Sequence, residues 1–171
     1  FLIVPKTVSD ATAAAFPCPG LTALQAFQKT PSLSNKKVLV NGAGGSVGFI
    51  LTQLLINSGA EVYVTASPKH HAELYKLGVV KAIDYQNETW KEELSANVFS
   101  AIFDMTSAKN TPSLFDFIAY NGHVICIQGR IDTNPLPGFT KCVSLHEIAL
   151  AAFHKFATPE QTEQLMKDGE L

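Results

Sequence analysis

The sequence predicts an α/β domain built on a doubly wound, six-stranded parallel sheet with helices on both faces. Three observations predict it. Short uninterrupted apolar runs, such as Val38-Leu39-Val40 and Val124-Ile125-Cys126-Ile127, alternate with helical patches. Strands covered by helices on both faces read as continuous rather than alternating hydrophobics. Residues 37–48, K-V-L-V-N-G-A-G-G-S-V-G, pass from an apolar strand through a glycine-rich turn straight into the amphipathic helix F-I-L-T-Q-L-L-I-N-S-G-A. Finally, 171 residues, 46% of them hydrophobic, suffice for one domain with a core on both faces of a sheet.

Taken in order, the chain opens without Met on Phe-Leu-Ile-Val-Pro, a strand-like edge, and reads as a piece of something longer. A helical lead-in occupies residues 1–36, with patches at Ser9–Phe16, for which Ser9 or Asp10 is the N-cap, and at Leu21–Lys29. The strand Lys37–Asn41 leads into a helix from Ser46, where Val47, Ile50, Leu51, Leu54 and Leu55 recur at helical spacing until Gly59. Then come strand Glu61–Ala66, a helix from Pro68, strand Lys81–Tyr85, a helix from Thr89, strand Phe99–Asp104, a helix from Thr111 and strand His123–Gln128. A Pro- and Gly-containing loop at Ile131–Phe139 precedes a sixth strand at Cys142–Leu145. The last helix is opened by Thr158 and Pro159 and runs to Lys167. Residues 1–171 contain no repeat and no second domain.

The glycine turn carries the chemistry. A strand that runs through such a turn into a helix N-terminus lets backbone N–H groups close on a pyrophosphate, with the helix dipole adding partial positive charge. This is the Rossmann-type arrangement, in register Ala43, Gly45, Gly48, with alanine at the first glycine position. The alternative is a strand-turn-helix without a ligand. In NAD sites the second strand ends in Asp or Glu, which binds the ribose hydroxyls and repels a 2′-phosphate. Here it ends Val64-Thr65-Ala66-Ser67 and continues Pro68-Lys69-His70-His71, with no carboxylate before Glu73. A hydroxyl and a cationic cluster can receive a dianionic phosphate, which favours NADP(H) over NAD(H). The competing reading makes Lys69, His70 and His71 a solvated helix turn.

Other classes find little support. A net charge of −2 points to neither nucleic acid nor an anionic membrane, and the apolar runs are too short to span a bilayer. Cys18, Cys126 and Cys142 are odd in number and lack C-x-x-C spacing, which fits a reducing, cytoplasmic setting. The five histidines show no metal-binding spacing, and His123 reads as structural. Asp84 and Asp104 end strands and read as caps of the adjoining helices. No Tyr-x-x-x-Lys pair occurs, and no catalytic residue is assigned within this chain.

The ordered segments A-F-P-C-P-G-L-T-A-L-Q-A-F, V-L-V-N-G-A-G-G-S-V-G, G-A-E-V-Y-V-T-A-S, K-L-G-V-V-K-A-I-D-Y and L-M-K-D-G-E-L resemble the cofactor-binding domain of medium-chain dehydrogenases and reductases. The A-x-G-x-x-G form and the T-A-S ending are similar to the NADPH-dependent quinone oxidoreductases and their zinc-type alcohol dehydrogenase relatives. The resemblance implies that the nicotinamide lies over Thr22 and the pyrophosphate over Gly44, Gly45, Ser46 and Val47. It implies a 2′-phosphate at Ser67, Lys69 and His70 and an adenosine bordered by Tyr85. It also implies backbone contacts to the nicotinamide end from Met105, Thr106, Gln128, Gly129 and Arg130. Cys18 stands where zinc-dependent relatives place a metal ligand. An N-terminal catalytic domain and a tail after Leu171 are implied but absent from this sequence, and family members commonly pair through the sixth strand's edge, here Cys142–Leu145.

The expectation is therefore an NADP(H)-binding domain of an oxidoreductase that transfers hydride to a quinone or conjugated carbonyl, this chain alone being inactive. One alternative is the cofactor domain of a zinc-dependent alcohol dehydrogenase. Another is a nucleotide-binding module without catalysis, such as an NADPH sensor or an S-adenosylmethionine-binding fold.

Overall fold

A computed structural model describes residues 4–168; the strand-like run at Phe1–Ile3 and the closing Gly169-Glu170-Leu171 lie outside the described residues. Six strands form one parallel sheet: β1 (Lys37–Asn41), β2 (Glu61–Thr65), β3 (Lys81–Ile83), β4 (Phe99–Asp104), β5 (Ile118–Cys126) and β6 (Ser144–Glu147). Their order is β3-β2-β1-β4-β5-β6, with every neighbouring pair parallel. The order reverses between β1 and β4, and there the loops leaving the carboxyl ends diverge and open a crevice.

Alternate residues of the central strands feed two cores. Val38 and Val40 of β1, Ala101 and Phe103 of β4 and Ile125 of β5 face one side. There they meet α2 (Pro17–Gln28), α3 (Ser46–Asn57) and α4 (His71–Leu77) through Ala23, Ala26, Leu51, Leu55 and Leu74. Leu39, Ile102 and Val124 face the other side. The lead-in also contains α1 (Asp10–Ala15), capped by Ser9, whose Oγ accepts the Thr12 N–H at 3.2 Å. The C-terminal part carries α5 (Phe153–Phe156) and α6 (Pro159–Asp168).

Helix α3 packs against the end of β1 at very short range. A Cβ on Gly48 would lie 2.5 Å from the Gly42 carbonyl oxygen and 2.9 Å from the Ala43 Cα. Gly42 itself has φ +91°, a conformation that a side chain disfavours. The turn thus needs glycine at one position for its conformation and at the other for proximity.

The second face differs from the expected helical cover. The segments from Thr89 and Thr111 form only single 3₁₀ turns, Trp90–Glu93 and Thr111–Leu114. Asn87 caps the Thr89 N–H at 3.1 Å, Leu94 is already extended, and Asn97 turns at φ +56°, so one turn is all that fits before β4. Leu94, Leu114, Phe115 and the loop residues Ile131 and Leu136 cover Leu39 and Ile102 instead. Strand β5 begins at Ile118, ahead of the expected His123. Asn121-Gly122 reads as a turn and does bend, with Asn121 at φ +60°, yet the bend is accommodated within the strand as an irregular register against β4. The sixth strand is Ser144–Glu147 rather than Cys142–Leu145, because Cys142 lies at φ +53°, outside the extended region. The helix expected at Leu21 starts earlier, at Pro17, whose fixed φ suits a first turn.

His123 stands against a second histidine across the β5–β6 pairing. Its Nδ1 lies 3.0 Å from Nε2 of His146 on β6, and the rings are stacked at 16°. Burial, with His123 and Lys29 nearby, pushes the His146 imidazole below its ordinary value. The unfolded chain therefore binds more protons there, and stability falls as pH drops through the ordinary imidazole value toward the lowered folded one. His146→Asn is expected to gain in melting temperature relative to wild type as pH goes from about 7 to about 5; a pH-independent difference would refute the assignment. Gly48→Ala presses a methyl into backbone, and is expected to destabilise the fold by about 1–3 kcal/mol in urea titrations; an unchanged midpoint would contradict the close approach.

Candidate functional site

Three central strands end in a short polar residue after an apolar run: Asn41 on β1, Thr65 on β2 and Asp104 on β4. All three are buried and form one hydrogen-bonded chain with the loops above them. The Gly42 N–H donates to Thr65 Oγ1 at 3.0 Å, and Thr65 Oγ1 donates to Asn41 Oδ1 at 2.6 Å. Asn41 Nδ2 donates to Asp104 Oδ1 at 3.0 Å, which also accepts the Thr106 N–H at 2.8 Å and hydroxyl at 2.7 Å. Thr111 Oγ1 donates to Asp104 Oδ2. Asp104 therefore caps no helix, since only the 3₁₀ turn at Thr111–Leu114 follows and its N-cap is Asn110; it instead closes the turn at Thr106 and ties that segment to β1. No buried side-chain polar atom among the described residues lacks a partner. The adjacent Cys126 thiol is pushed up by burial, against the Thr111 hydrogen bond, and stays protonated.

This chain forms the floor of an open cleft of about 940 Å³ along the carboxyl ends of β1 to β4. From the glycine turn come Gly44 and Gly45, and from the β2 end Ser67, Lys69 and His70. The β3 end adds Tyr85, and the loop after β4 adds Thr106. No carboxylate is among the lining residues. His70 lies directly on the turn: a Cβ on Gly44 would come 2.6 Å from its Cδ2. Gly45 is the N-cap of α3 and no side chain caps the helix, so the first-turn N–H groups of Ser46 and Val47 remain free for an anion.

The cleft brings together Gly44, Gly45, Ser67, Lys69, His70, Tyr85 and Thr106, but not every candidate residue. Thr22 sits on α2 with its hydroxyl bound back to the Cys18 carbonyl at 2.7 Å, outside the lining. Met105 packs against the core and its N–H donates to the Asn41 carbonyl at 2.9 Å. Gln128 accepts the Ala108 N–H at 3.0 Å, Gly129 has φ +94°, and Arg130 pairs with Asp132 at 3.3 Å, all beyond β5. Cys18 is exposed in the first turn of α2, and among the described residues no three His, Cys, Asp or Glu side chains converge as a metal site. Sequence reasoning passed over Trp90, Lys91, Lys109, Asn110 and Ser113, which also line the cleft. Their signal was position alone: each follows the carboxyl end of a strand, where open parallel sheets bind ligands.

No family model matches the chain. It is 32% identical over 141 residues to the mitochondrial NAD(P)H oxidoreductase RTN4IP1 of Dictyostelium discoideum, covering 74% of this chain and 40% of that protein. It is 30% identical over 137 residues to the 2-methylene-furan-3-one reductase of Solanum lycopersicum, covering 79% and 34%. A trans-enoyl reductase of Aspergillus terreus, tazE, is 38% identical over 93 residues, 49% of this chain and 30% of that one. The chain therefore spans well under half the length of these relatives. Among solved structures, the quinone oxidoreductase of Thermus thermophilus, determined also in complex with NADPH, superposes with a TM-score of 0.76 at 22% identity, covering 98% of this chain and 55% of that one. The CurK enoyl reductase superposes at 0.79 with 22% identity, covering 98% and 52%.

Thr65→Val leaves the Asn41 side-chain oxygen and part of the Gly42 N–H interaction unmet in a buried setting. It is expected to cost about 1–3 kcal/mol in chemical denaturation; a neutral result would show that the chain of bonds does not hold the turn.

Proposed function

This chain belongs to the medium-chain dehydrogenases and reductases, as their cofactor-binding domain, and from that premise we propose that it holds NADPH for a reductase acting on a quinone or conjugated carbonyl. The observation that carries the reading is the acid-free cleft with a glycine turn at its base and Ser67, Lys69 and His70 on its β2 wall. A pyrophosphate over Gly44–Val47 meets uncapped N–H groups and the positive end of α3. Ser67 supplies a hydroxyl and Lys69 an ammonium for a 2′-phosphate, where a carboxylate would repel it. Tyr85, half-exposed at the β3 end, borders the adenosine. Thr106, with Met105, Thr22 and Gln128–Arg130, is assigned to the nicotinamide end.

When bound, the cofactor supplies a hydride. The part of this chain is to fix its two ends relative to one another, the Asn41–Thr65–Asp104 bonds keeping the turn and the β4 loop in one geometry. The acceptor class is supported by the relatives' names, since an enoyl, a methylene-furanone and a quinone each offer a C=C conjugated to a carbonyl. The outer edge of β6 has no strand neighbour among the described residues, and we place pairing of two copies there. The free thiols of Cys18, Cys126 and Cys142 fit a reducing compartment, for which we take the cytoplasm.

The test uses the full-length protein with NADPH, NADH and a panel of quinones and enones. NADPH oxidation is expected with at least one acceptor, and Lys69→Ala is expected to raise KM for NADPH about tenfold while leaving that for NADH unchanged. NADPH binding without turnover on any acceptor would overturn the reductase reading, and equal loss for both nucleotides would overturn the role of Lys69.

A further inference from the structure

The edge strand β6 is tied to the sheet by a pair of imidazoles. It pairs with β5 on one side, and its other edge has no strand neighbour among the described residues. Val124 and Leu145, opposite each other in register, face the second core. By alternation His123 and His146 share the other face with Ile125, which packs in the first core with α2. There His123 Nδ1 and His146 Nε2 lie 3.0 Å apart, with the ring centroids separated by 5.3 Å. Ser144, the other β6 residue on that face, is exposed, so the histidine contact is the strand's own side-chain tie on this side. Backbone bonds fix the segment beyond both ends of the strand: the Asn121 N–H donates to the Lys141 carbonyl at 2.7 Å, and the Ile148 N–H to the Cys126 carbonyl at 3.0 Å. The charges that act on His146 come from His123 on β5 and Lys29 at the C-cap of α2. Glu147, next along β6, is turned instead to Arg130, 3.7 Å from its Nε.

A hydrogen bond between two imidazoles needs one N–H and one lone pair. The neutral pair supplies both, and so does a pair carrying one extra proton, because an imidazolium can donate to its neutral neighbour. A second proton leaves two donors and no acceptor, with two positive charges 3.0 Å apart and the Lys29 ammonium nearby. We propose that His123 and His146 form a two-proton latch on β6, which frees the middle of this edge strand in acid and so withdraws the edge on which two copies of the chain pair. The inference rests on the pairing reading given above and adds its control. Between the Lys141 and Ile148 bonds the strand bows away while the other five strands stay paired, a local opening and not an unfolding.

The experiment follows amide hydrogen exchange of the full-length protein by mass spectrometry from about pH 7.5 to about pH 5, the span of imidazole titration, with sedimentation velocity on the same samples. Exchange is read as protection relative to the intrinsic rate at each pH. Protection of β6 is expected to fall about a hundredfold per pH unit at its steepest, the slope of two protons, while β1 is unchanged and dimers give way to monomers over the same range. His123→Asn and His146→Asn each replace one ring by an amide that still donates and accepts, so either is expected to hold β6 protection within about threefold across the range. A wild-type β6 whose protection is independent of pH, or falls in step with β1, or falls equally in the variants, overturns the latch. Dimers that persist once β6 has opened overturn its coupling to pairing. A wild-type protein already monomeric at about pH 7.5 overturns the pairing reading, with the exchange data still deciding the latch.

Discussion

The structure turns on one close contact, the backbone of α3 against the end of β1, where Gly48 leaves no room for a Cβ beneath the Gly42 carbonyl. That approach aims the uncapped N-terminus of α3 at the crevice between β1 and β4. It also lets Leu51 and Leu55, the inward residues of the helix, join Val38 and Val40 in one fully buried cluster. A wider spacing would cost both packing and the direction of the N–H groups. One residue without a side chain therefore serves the core and the ligand site together.

Above that contact, a chain of hydrogen bonds replaces the apolar core. Gly42, Thr65, Asn41, Asp104 and Thr106 are linked donor to acceptor across three strands, and Thr111 completes the carboxylate. Such a network is favourable only when every member is satisfied, because an unmatched buried polar group costs more than the bond it would have made. Here each member is satisfied. The loops leaving β1 and β4 are consequently held in one arrangement, so the walls on either side of the switch point are set relative to each other before a ligand arrives.

Much of this was legible in the chain of letters. The run from Lys37 to Asn57 announced strand, turn and helix because period, glycine content and helix length agreed with one another. Ser67 and Lys69 were legible because a missing carboxylate after β2 is itself a local feature. The segments after Thr89 and Thr111 misled for the same local reason: their composition allows a helix, and only the distance to the next strand decides that a single 3₁₀ turn fits. Asn121-Gly122 was similarly ambiguous, since a bend inside a strand and a turn between strands share their residues.

What the sequence determined by itself is the parallel α/β architecture and the glycine turn between β1 and α3, both of which depend on neighbours close along the chain. Tertiary structure alone decided which distant side chains share the cleft. Lys91 and Lys109 lie far from Lys69 in sequence and carry no motif, yet the strand order β3-β2-β1-β4 places the loops that bear them around one opening. It also decided that Asn41, Thr65 and Asp104 form a single bonded chain, because register between parallel strands, not spacing along any one of them, brings their ends level.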